Sequence, residues 1–274
     1  MLHALRARLR QGHQTIAFPR GSPVLPDRFR GLLALNRAAC EPQCTLCADA
    51  CPTAAIDQPA PDLAIDLGKC LFCGVCTAAC PTGALQHTPE FRLATSRRAD
   101  LRYAGDGLAL AGRLDAKLRA LLGRSLKLRQ VSAGGCNGCE VEVNALSNVV
   151  FDIGRFGIDF VASPRHADGL LVTGPVTRNM REALLRTYAA MPAPKIVIAT
   201  GACAISGGPF AGLAEQNDGL GELLPVDLFI PGCPPHPLTL LDGILRVLDR
   251  LDDPRQNPPP DSAADTDLGC NPRS

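Results

Sequence analysis

Eight of the thirteen cysteines stand in two sets of four, and each set ends in Cys-Pro. Three closely spaced thiolates can hold three corners of an iron–sulfur cubane, whereas Cys-Pro turns the chain so that the fourth thiolate reaches the neighbouring cubane. The spacing therefore predicts two [4Fe-4S] clusters with exchanged fourth ligands. We assign cluster 1 to Cys40, Cys44, Cys47 and Cys80, and cluster 2 to Cys70, Cys73, Cys76 and Cys51.

The two sets also form an internal repeat, because residues 44–56 align with residues 73–85 without a gap. This repeat resembles the bacterial two-cluster ferredoxins. Zinc fits the spacing less well, since zinc ligands usually form two cysteine pairs separated by a longer spacer. A disulfide framework would need an exported chain, and the N-terminus has no apolar signal core.

The composition is that of a globular protein with a balanced charge, 28 basic against 27 acidic residues. Neither this balance nor the absence of tryptophan favours binding to nucleic acid. No P-loop or G-x-G-x-x-G motif occurs, so we expect no nucleotide site. No apolar run reaches the length of a membrane span. We expect the chain to stay in the reducing cytoplasm, where cysteines serve as metal ligands rather than in disulfides.

The sequence pattern divides the chain into five parts. We expect an N-terminal arm at 1–30, a small α+β ferredoxin-like domain at 31–90, a basic helical linker at 91–126, an α/β domain at 127–250 and a disordered tail at 251–274. In the α/β domain, apolar strands alternate with amphipathic helices, which predicts a mostly parallel sheet with helices on both faces. A helix is expected to follow Cys139 as far as Ile153, and a final helix to cover about 237–250.

Four further cysteines lie beyond the carboxyl ends of predicted strands: Cys136 and Cys139 after the first, Cys203 after a later strand, and Cys233 after the last. Open α/β sheets hold their ligands at this rim. Four thiolates that converge there predict another metal centre, and their spacing alone leaves zinc and an iron–sulfur cluster open.

The segments C-N-G-C-E-V-E, S-P-R-H-A-D-G-L-L-V-T-G-P-V-T, K-I-V-I-A-T-G-A-C and P-G-C-P-P occur in this order between Val131 and Leu248. They resemble the small-subunit family of [NiFe] hydrogenases, which also includes an iron–sulfur subunit of respiratory complex I. The resemblance implies a flavodoxin-like domain and a third [4Fe-4S] cluster, cluster 3, with the ligands Cys136, Cys139, Cys203 and Cys233. The two residues between Cys136 and Cys139 are the hydrogenase form, whereas the complex I members carry adjacent cysteines there.

The segment L-P-D-R-F-R-G ahead of the ferredoxin motifs resembles the polyferredoxin subunit of formate-hydrogenlyase-type, membrane-associated hydrogenases. Two usually separate subunits thus look fused in this chain. The resemblance implies three kinds of partner: a [NiFe] large subunit, other subunits of a membrane-associated complex, and a redox donor or acceptor protein. It also implies a peripheral position on the inner face of the cell membrane.

Five residues outside the cysteine sets are further candidates. Glu142 matches an acidic position near the cluster and the partner subunit in this family, which implies a proton-transfer or tuning role; the alternative is a carboxylate at a helix start. Arg165 and Asp168 match the family's P-R-x-x-D segment, which implies that they orient the loop at the subunit interface and lie behind the ligands of the cofactor. His166 and His236 are expected at the surface or at an interface.

The resulting hypothesis is an electron-transfer subunit without catalytic residues of its own, in which three [4Fe-4S] clusters form a wire to a separate [NiFe] subunit. One alternative is an electron-transfer subunit of a quinone-reducing complex I relative or of a nickel-free hydrogenase-related complex. Another is a zinc-stabilised scaffold without a redox role. The thirteenth cysteine, Cys270, is expected to bind no metal.

Overall fold

The structure, a computed structural model, describes residues 2–57, 63–105, 107–122 and 125–251. The predicted disordered tail at 251–274, including Cys270, lies outside these residues except for its first residue. The helices are α1 (Leu2–Gln11), α2 (Leu46–Asp49), α3 (Val75–Ala79), α4 (Ala116–Leu122), α5 (Gly138–Ala145), α6 (Arg178–Ala190), α7 (Gly201–Ser206) and α8 (Pro237–Val247). The strands are β1 (Leu33–Leu35), β2 (Ile56–Asp57), β3 (Ala64–Asp66), β4 (Leu85–His87), β5 (Arg102–Tyr103), β6 (Leu126–Ser132), β7 (Ile158–Phe160), β8 (Gly169–Thr173), β9 (Ile196–Thr200) and β10 (Leu228–Ile230).

A five-stranded parallel sheet organises the C-terminal half, with the strand order β10-β9-β8-β6-β7. This is the flavodoxin-like order, in which the direction of strand addition reverses between β6 and β8. Every residue of β8 and β9 is buried, as expected for apolar strands that helices cover on both faces. The predicted flavodoxin-like α/β fold is confirmed.

Helix α5 is shorter than the sequence pattern indicated. It ends at Ala145, and the chain continues through turns into a 3-10 helix at Ile153–Phe156. Leu146 and Ile153 are still buried, so these apolar residues reach the core from turns rather than from a continuous helix. Their spacing is therefore a signal of burial and not of helix length.

The cysteine-rich part forms two small antiparallel sheets. Strand β1 pairs with β4, and β2 pairs with β3. Helices α2 and α3 carry the third cysteine of each set and lie against each other. The two halves of the sequence repeat are thus neighbours in space, as the α+β ferredoxin-like fold requires.

Residues 91–126 are not the basic helical linker that the sequence predicted. In the described part of this segment only α4 is α-helical, whereas β5 adds a third strand to the β2–β3 sheet. Thr95 forms an antiparallel bridge with Phe229 of β10. The physical reason is that Ala94 and Leu101 are fully buried apolar residues, a signal that the positive charges around them obscured.

The arm before the cysteine motifs also packs on the α/β domain. Helix α1 is exposed, but the amide of Ile16 donates to Val150 O at 3.0 Å. Arg155 donates to the carbonyls of Ile16 and Phe18 at 2.9 and 2.8 Å. Phe18 is buried and meets the ring of Phe91 edge-on, with 5.8 Å between the centroids.

A continuous hydrophobic core joins the two halves of the chain. Leu33 and Ile65 from the cysteine-rich part belong to the same buried cluster as Val131, Leu170 and Phe229 from the parallel sheet. Rearranging one half against the other would expose this apolar surface, at about 25 cal/mol for each Å². No helix of the described residues is both long enough and apolar enough to cross a membrane.

Candidate iron–sulfur sites

The eight cysteines of the repeat line two separate cavities, and they do so in the exchanged combination. The first cavity, of about 360 Å³ with its open mouth included, is lined by Cys40, Cys44, Cys47 and Cys80. The second, of about 370 Å³, is lined by Cys51, Cys70, Cys73 and Cys76. Within the residues that the structure describes, no three His, Cys, Asp or Glu side chains crowd closely enough to hold a single metal ion.

Backbone amides point at sulfur atoms in the second cavity. The amide of Ala55 donates to Cys51 Sγ at 3.2 Å, and the amide of Phe72 donates to Cys70 Sγ at 3.3 Å. A four-iron cluster with four thiolates is anionic and needs such donors where it is shielded from water. The donor set therefore fits a [4Fe-4S] group.

The first cavity has an equivalent set of donors around Cys80. The hydroxyl of Thr82 lies 3.6 Å from Cys80 Sγ. Burial acts to raise the pKa of this thiol, but hydrogen bonds from the Thr82 hydroxyl and from the amides of Leu85 and Ala84 outweigh burial and lower the pKa. These hydrogen bonds therefore favour the thiolate of Cys80 more than water alone would.

The more deeply placed thiols behave in the opposite way. Burial, and to a lesser extent neighbouring thiolates, raise the pKa of Cys70 to about 12 and that of Cys76 to about 11. One of the thiolates that acts on Cys76 is Cys47 of the first cavity, so the two cavities lie side by side. Since metal binds the thiolate form, loading these sites releases protons.

The other four cysteines lie together at the carboxyl ends of the parallel strands. The register places Ser132, Thr173 and Thr200, the last residues of β6, β8 and β9, side by side. The four cysteines follow strands of this sheet, and their charges affect one another's pKa values. Burial, and then the charges of Cys203, Glu140, Cys233 and Cys136, raise the pKa of Cys139.

Two glycines leave room for sulfur atoms at this rim. Gly201 has a φ of +86°, and a Cβ there would lie 2.6 Å from Cys139 Sγ. Gly208 has a φ of +56°, and a Cβ there would lie 2.9 Å from Cys203 Sγ. Beside them, the buried hydroxyl of Thr200 has no hydrogen-bond partner among the described residues. The two glycines, which leave space beside the sulfur atoms, and the available hydroxyl donor of Thr200 both fit a bulky anionic cluster.

Sequence reasoning missed Glu140, which directly follows Cys139. Its side chain is only 7% exposed and accepts hydrogen bonds from the hydroxyls of Ser132 and Thr173, both at 2.6 Å. Burial acts to raise the pKa of Glu140, but these two hydroxyl bonds lower it, so the carboxylate is ionised. The signal in the sequence was the pair of hydroxyl residues that end β6 and β8.

Glu142 lies instead in an open cleft of about 750 Å³, mouth included, whose walls also contain Cys233 and His236. Burial raises the pKa of Glu142. His236 is half-buried, and its Nδ1 accepts a hydrogen bond from the amide of Leu238 at 3.2 Å. This histidine therefore caps the N-terminus of α8, a role that the sequence analysis did not assign.

The predicted position of Arg165 and Asp168 beside the cofactor is wrong. Asp168 directly precedes β8, so it lies at the amino end of that strand, about 16 Å of strand away from the cysteine rim. Arg165 lies in the turn between β7 and β8, and the end of β7 is level with the start of β8, because Phe160 and Gly169 both pair with Leu128. Asp168 accepts a hydrogen bond from the amide of Lys127 at 2.9 Å, which joins the starts of β6 and β8. His166, in the same turn, is exposed and also distant from that rim.

The second cavity and the third site meet at one point. Phe72 lines both the second cavity and the cleft that contains Cys233. Burial, then Cys136, and then Cys73 of the second cavity raise the pKa of Cys233. The three candidate sites therefore follow one another, with the second cavity between the other two.

The comparisons with known proteins agree with this arrangement of motifs. Residues 136–247 match the family described as "NADH ubiquinone oxidoreductase, 20 Kd subunit", and residues 63–86 match the 4Fe-4S binding domain. The second match covers the Cys70–Cys80 set.

Three relatives show the extent of the similarity. The chain is 46% identical to a probable membrane-bound hydrogenase subunit of Pyrococcus furiosus, over 50% of this chain and 81% of that protein. It is 48% identical to formate hydrogenlyase subunit 7 of Escherichia coli, over 51% of this chain and 54% of that protein. It is 46% identical to an NADH-quinone oxidoreductase subunit of Carboxydothermus hydrogenoformans, over 43% of this chain and 71% of that protein. Because these identities extend over 81% of the hydrogenase subunit and 71% of the NADH-quinone oxidoreductase subunit, the chain belongs to the family of the 20 kDa subunit of NADH ubiquinone oxidoreductase.

Proposed function

We propose that this chain is an electron-transfer subunit that carries three [4Fe-4S] clusters in a row. Its relatives are subunits of hydrogenase and NADH-quinone oxidoreductase complexes, and this chain is the iron–sulfur subunit of such an oxidoreductase complex. The observation that carries the proposal is the succession of the sites: α2, which carries Cys47, lies against α3, which carries Cys76, and Phe72 of the second cavity also lines the cleft that contains Cys233.

The polypeptide's own part is to hold the clusters at fixed separations. When bound, the clusters supply one-electron redox chemistry. The thiolates ligate them, the amides of Ala55 and Phe72 donate to ligand sulfurs, and Gly201 and Gly208 leave space for the third site. The shared core keeps the ferredoxin-like part and the α/β part in one arrangement, which replaces an encounter between two subunits by a tethered geometry.

We further propose that a separate [NiFe] large subunit covers the third site, and that the chain lies peripherally on the cytoplasmic side of the membrane through partner subunits. Cys136 and Cys233 are exposed, so the third site lies at the surface where a partner can approach. A redox donor or acceptor protein is proposed to exchange electrons at cluster 1, the other end of the row.

A second candidate is the electron-transfer subunit of a quinone-reducing complex. The observation that favours it is the 46% identity to a subunit of an NADH-quinone oxidoreductase. Purification of the chain with its partners distinguishes the two: hydrogen-dependent reduction of a viologen dye supports the hydrogenase reading, and quinone reduction without nickel supports the alternative.

The test of the three-cluster proposal uses Cys203→Ser in the full chain, with Cys270→Ser as the matched control. Cys203→Ser is expected to remove about four of about twelve irons and to leave the spectrum of the ferredoxin-like part intact. Cys270→Ser is expected to leave the iron content unchanged. Simultaneous loss of all three cluster signals in Cys203→Ser would contradict three separately held clusters.

A further inference from the structure

Arg30 reaches from the N-terminal arm onto the loop that carries Cys70 and Cys73. Its Nη1 donates to the carbonyl of Cys73 at 2.6 Å and to the carbonyl of Phe72 at 3.3 Å. The guanidinium lies so close to the loop that a Cβ on Gly74 would stand 3.3 Å from the Arg30 Cζ atom. A residue far from the cysteine motif in sequence thus holds two consecutive carbonyls of that motif.

These contacts fix the direction of two peptide dipoles. In a trans peptide the C=O and N–H bonds point in opposite directions. Because the carbonyls of Phe72 and Cys73 face Arg30, the amides of Cys73 and Gly74 face away from it. The loop adopts this shape with left-handed backbone at Phe72 (φ +52°) and at Gly74 (φ +80°), and Phe72 is a bulky residue that such backbone disfavours.

Arg30 also stands where the second and third sites meet. It lines the cleft that contains Phe72 and Cys233. Arginine remains protonated at all ordinary pH values, so it places a permanent positive charge beside that junction. Arg28 lines the same cleft, yet no hydrogen bond from its side chain to a cysteine loop is found in the described residues.

We propose that Arg30 is a positioning residue that stabilises the reduced form of cluster 2, the member of the row next to cluster 3. The inference rests on the proposed function, since it requires cluster 2 to be bound. When cluster 2 accepts one electron, it gains one negative charge, and no bond forms or breaks. The fixed positive charge of Arg30 favours the more negative state, because opposite charges attract and the guanidinium is held on the loop that carries Cys73.

The experiment is an anaerobic redox titration of the full chain with dithionite, followed by electron paramagnetic resonance. The variants are Arg30→Gln, Arg30→Lys and the control Arg28→Gln. In Arg30→Gln, we expect one of the three reduction steps to move to a lower potential. At a fixed potential, the ratio of reduced to oxidised cluster should fall about tenfold, which corresponds to about 59 mV for one electron. Arg30→Lys keeps the positive charge but loses the planar guanidinium group. The reduction potential of cluster 2 in this variant should therefore lie between those of the wild type and Arg30→Gln.

Iron and sulfide content are measured on every sample. Arg30→Gln with wild-type iron and an unchanged potential overturns the proposal, as does an equal shift in Arg28→Gln. If Arg30→Gln loses cluster 2, the reduction potential of cluster 2 in Arg30→Lys is compared with that in the wild type. A lower potential in Arg30→Lys supports the proposal, and an equal or higher potential overturns it. Wild-type protein that lacks the clusters would overturn the proposed function itself, a result distinguishable by its iron content.

The proposal requires that the reduction step that moves belongs to a cluster of the ferredoxin-like part. In the Cys203→Ser background, where cluster 3 is expected to be absent, Arg30→Gln should still move one of the two remaining reduction steps by the same ratio. A shift that disappears in this background would assign the effect of Arg30 to cluster 3 and overturn the proposal.

Discussion

Cys73 and Cys233 lie near each other where the two parts of the chain meet, because Phe72, the neighbour of Cys73, lines the cleft that contains Cys233. In agreement with this, burial, then Cys136 and then Cys73 raise the pKa of Cys233. Cys73 belongs to the ferredoxin-like part and Cys233 follows the last strand of the parallel sheet. Their proximity is what turns two ligand-bearing modules into one row of sites. Because Leu33 and Val131, from the two halves, share a buried core, the proximity is built into the fold.

Replacing Gly201 by alanine should empty the third site selectively. The new Cβ would lie 2.6 Å from Cys139 Sγ, and the backbone there has a φ of +86°. We expect loss of about four irons per chain, with the ferredoxin-like clusters retained. Iron analysis and visible absorbance measure this. Gly221→Ala is the control, because no atom lies within 4 Å of a Cβ at that position. Equal iron loss in both variants would contradict the claim that Gly201 leaves the space that the third cluster needs.

Glu140→Gln should destabilise the protein by about 1–3 kcal/mol, the cost of weakening two hydrogen bonds to a buried charged group. The hydroxyls of Ser132 and Thr173 lose their ionised acceptor in this variant. Thermal unfolding under anaerobic conditions measures the change. Glu142→Gln is the control: burial disfavours the charge of Glu142, so its removal should be neutral or slightly stabilising. A larger loss in Glu142→Gln than in Glu140→Gln would refute the roles given to the two carboxylates.

The stability of the protein should fall as the pH is lowered through the range just below 6.5, in part because of His236. Burial lowers the pKa of His236 below its ordinary 6.5, so the folded state binds fewer protons than the unfolded state in that range. Protonation also removes the acceptor that caps α8. His236→Asn keeps a capping side chain without the titration, so the loss of melting temperature between pH 7.5 and about pH 5.5 should shrink. An identical pH dependence in the variant and the wild type would exclude His236 as its source.

Arg98→Met should loosen the strand that residues 102–103 add to the ferredoxin-like sheet. Arg98 makes two hydrogen bonds to the half-buried Asp66, at 2.8 and 2.7 Å, and we expect their loss to cost about 1–2 kcal/mol. Exchange of the Leu67 amide, which donates to Leu101 O at 2.9 Å, should accelerate accordingly.

The control for that variant is Arg97→Met. Arg97 pairs with Asp100, but its side chain is 76% exposed, so solvent screens the pair and no measurable change is expected. Faster exchange of the Leu67 amide in Arg97→Met than in Arg98→Met would show that charge alone, and not the half-buried pair, holds the strand.

The sequence predicted the cysteine groupings because ligand spacing is a local property and because parallel strands bring their carboxyl ends to one rim. It did not reveal Glu140, because the hydroxyl residues that end β6 and β8 can be recognised as its partners only once the two strands are known to be neighbours in the folded sheet. The helical linker was a wrong prediction since the positive charges of residues 91–126 carry no information about the burial of Ala94 and Leu101. The error at Asp168 has a different cause: a motif match does not say at which end of a strand a residue stands.

The most direct measurement of the central claim is the content of iron, acid-labile sulfide and zinc in anaerobically purified full-length protein. Three [4Fe-4S] clusters predict about twelve irons and about twelve sulfides per chain, with little zinc, in a brown protein that dithionite bleaches. A colourless protein with zinc and without sulfide would contradict the account, and so would a count of about eight irons, which would leave the third set of cysteines without a cluster.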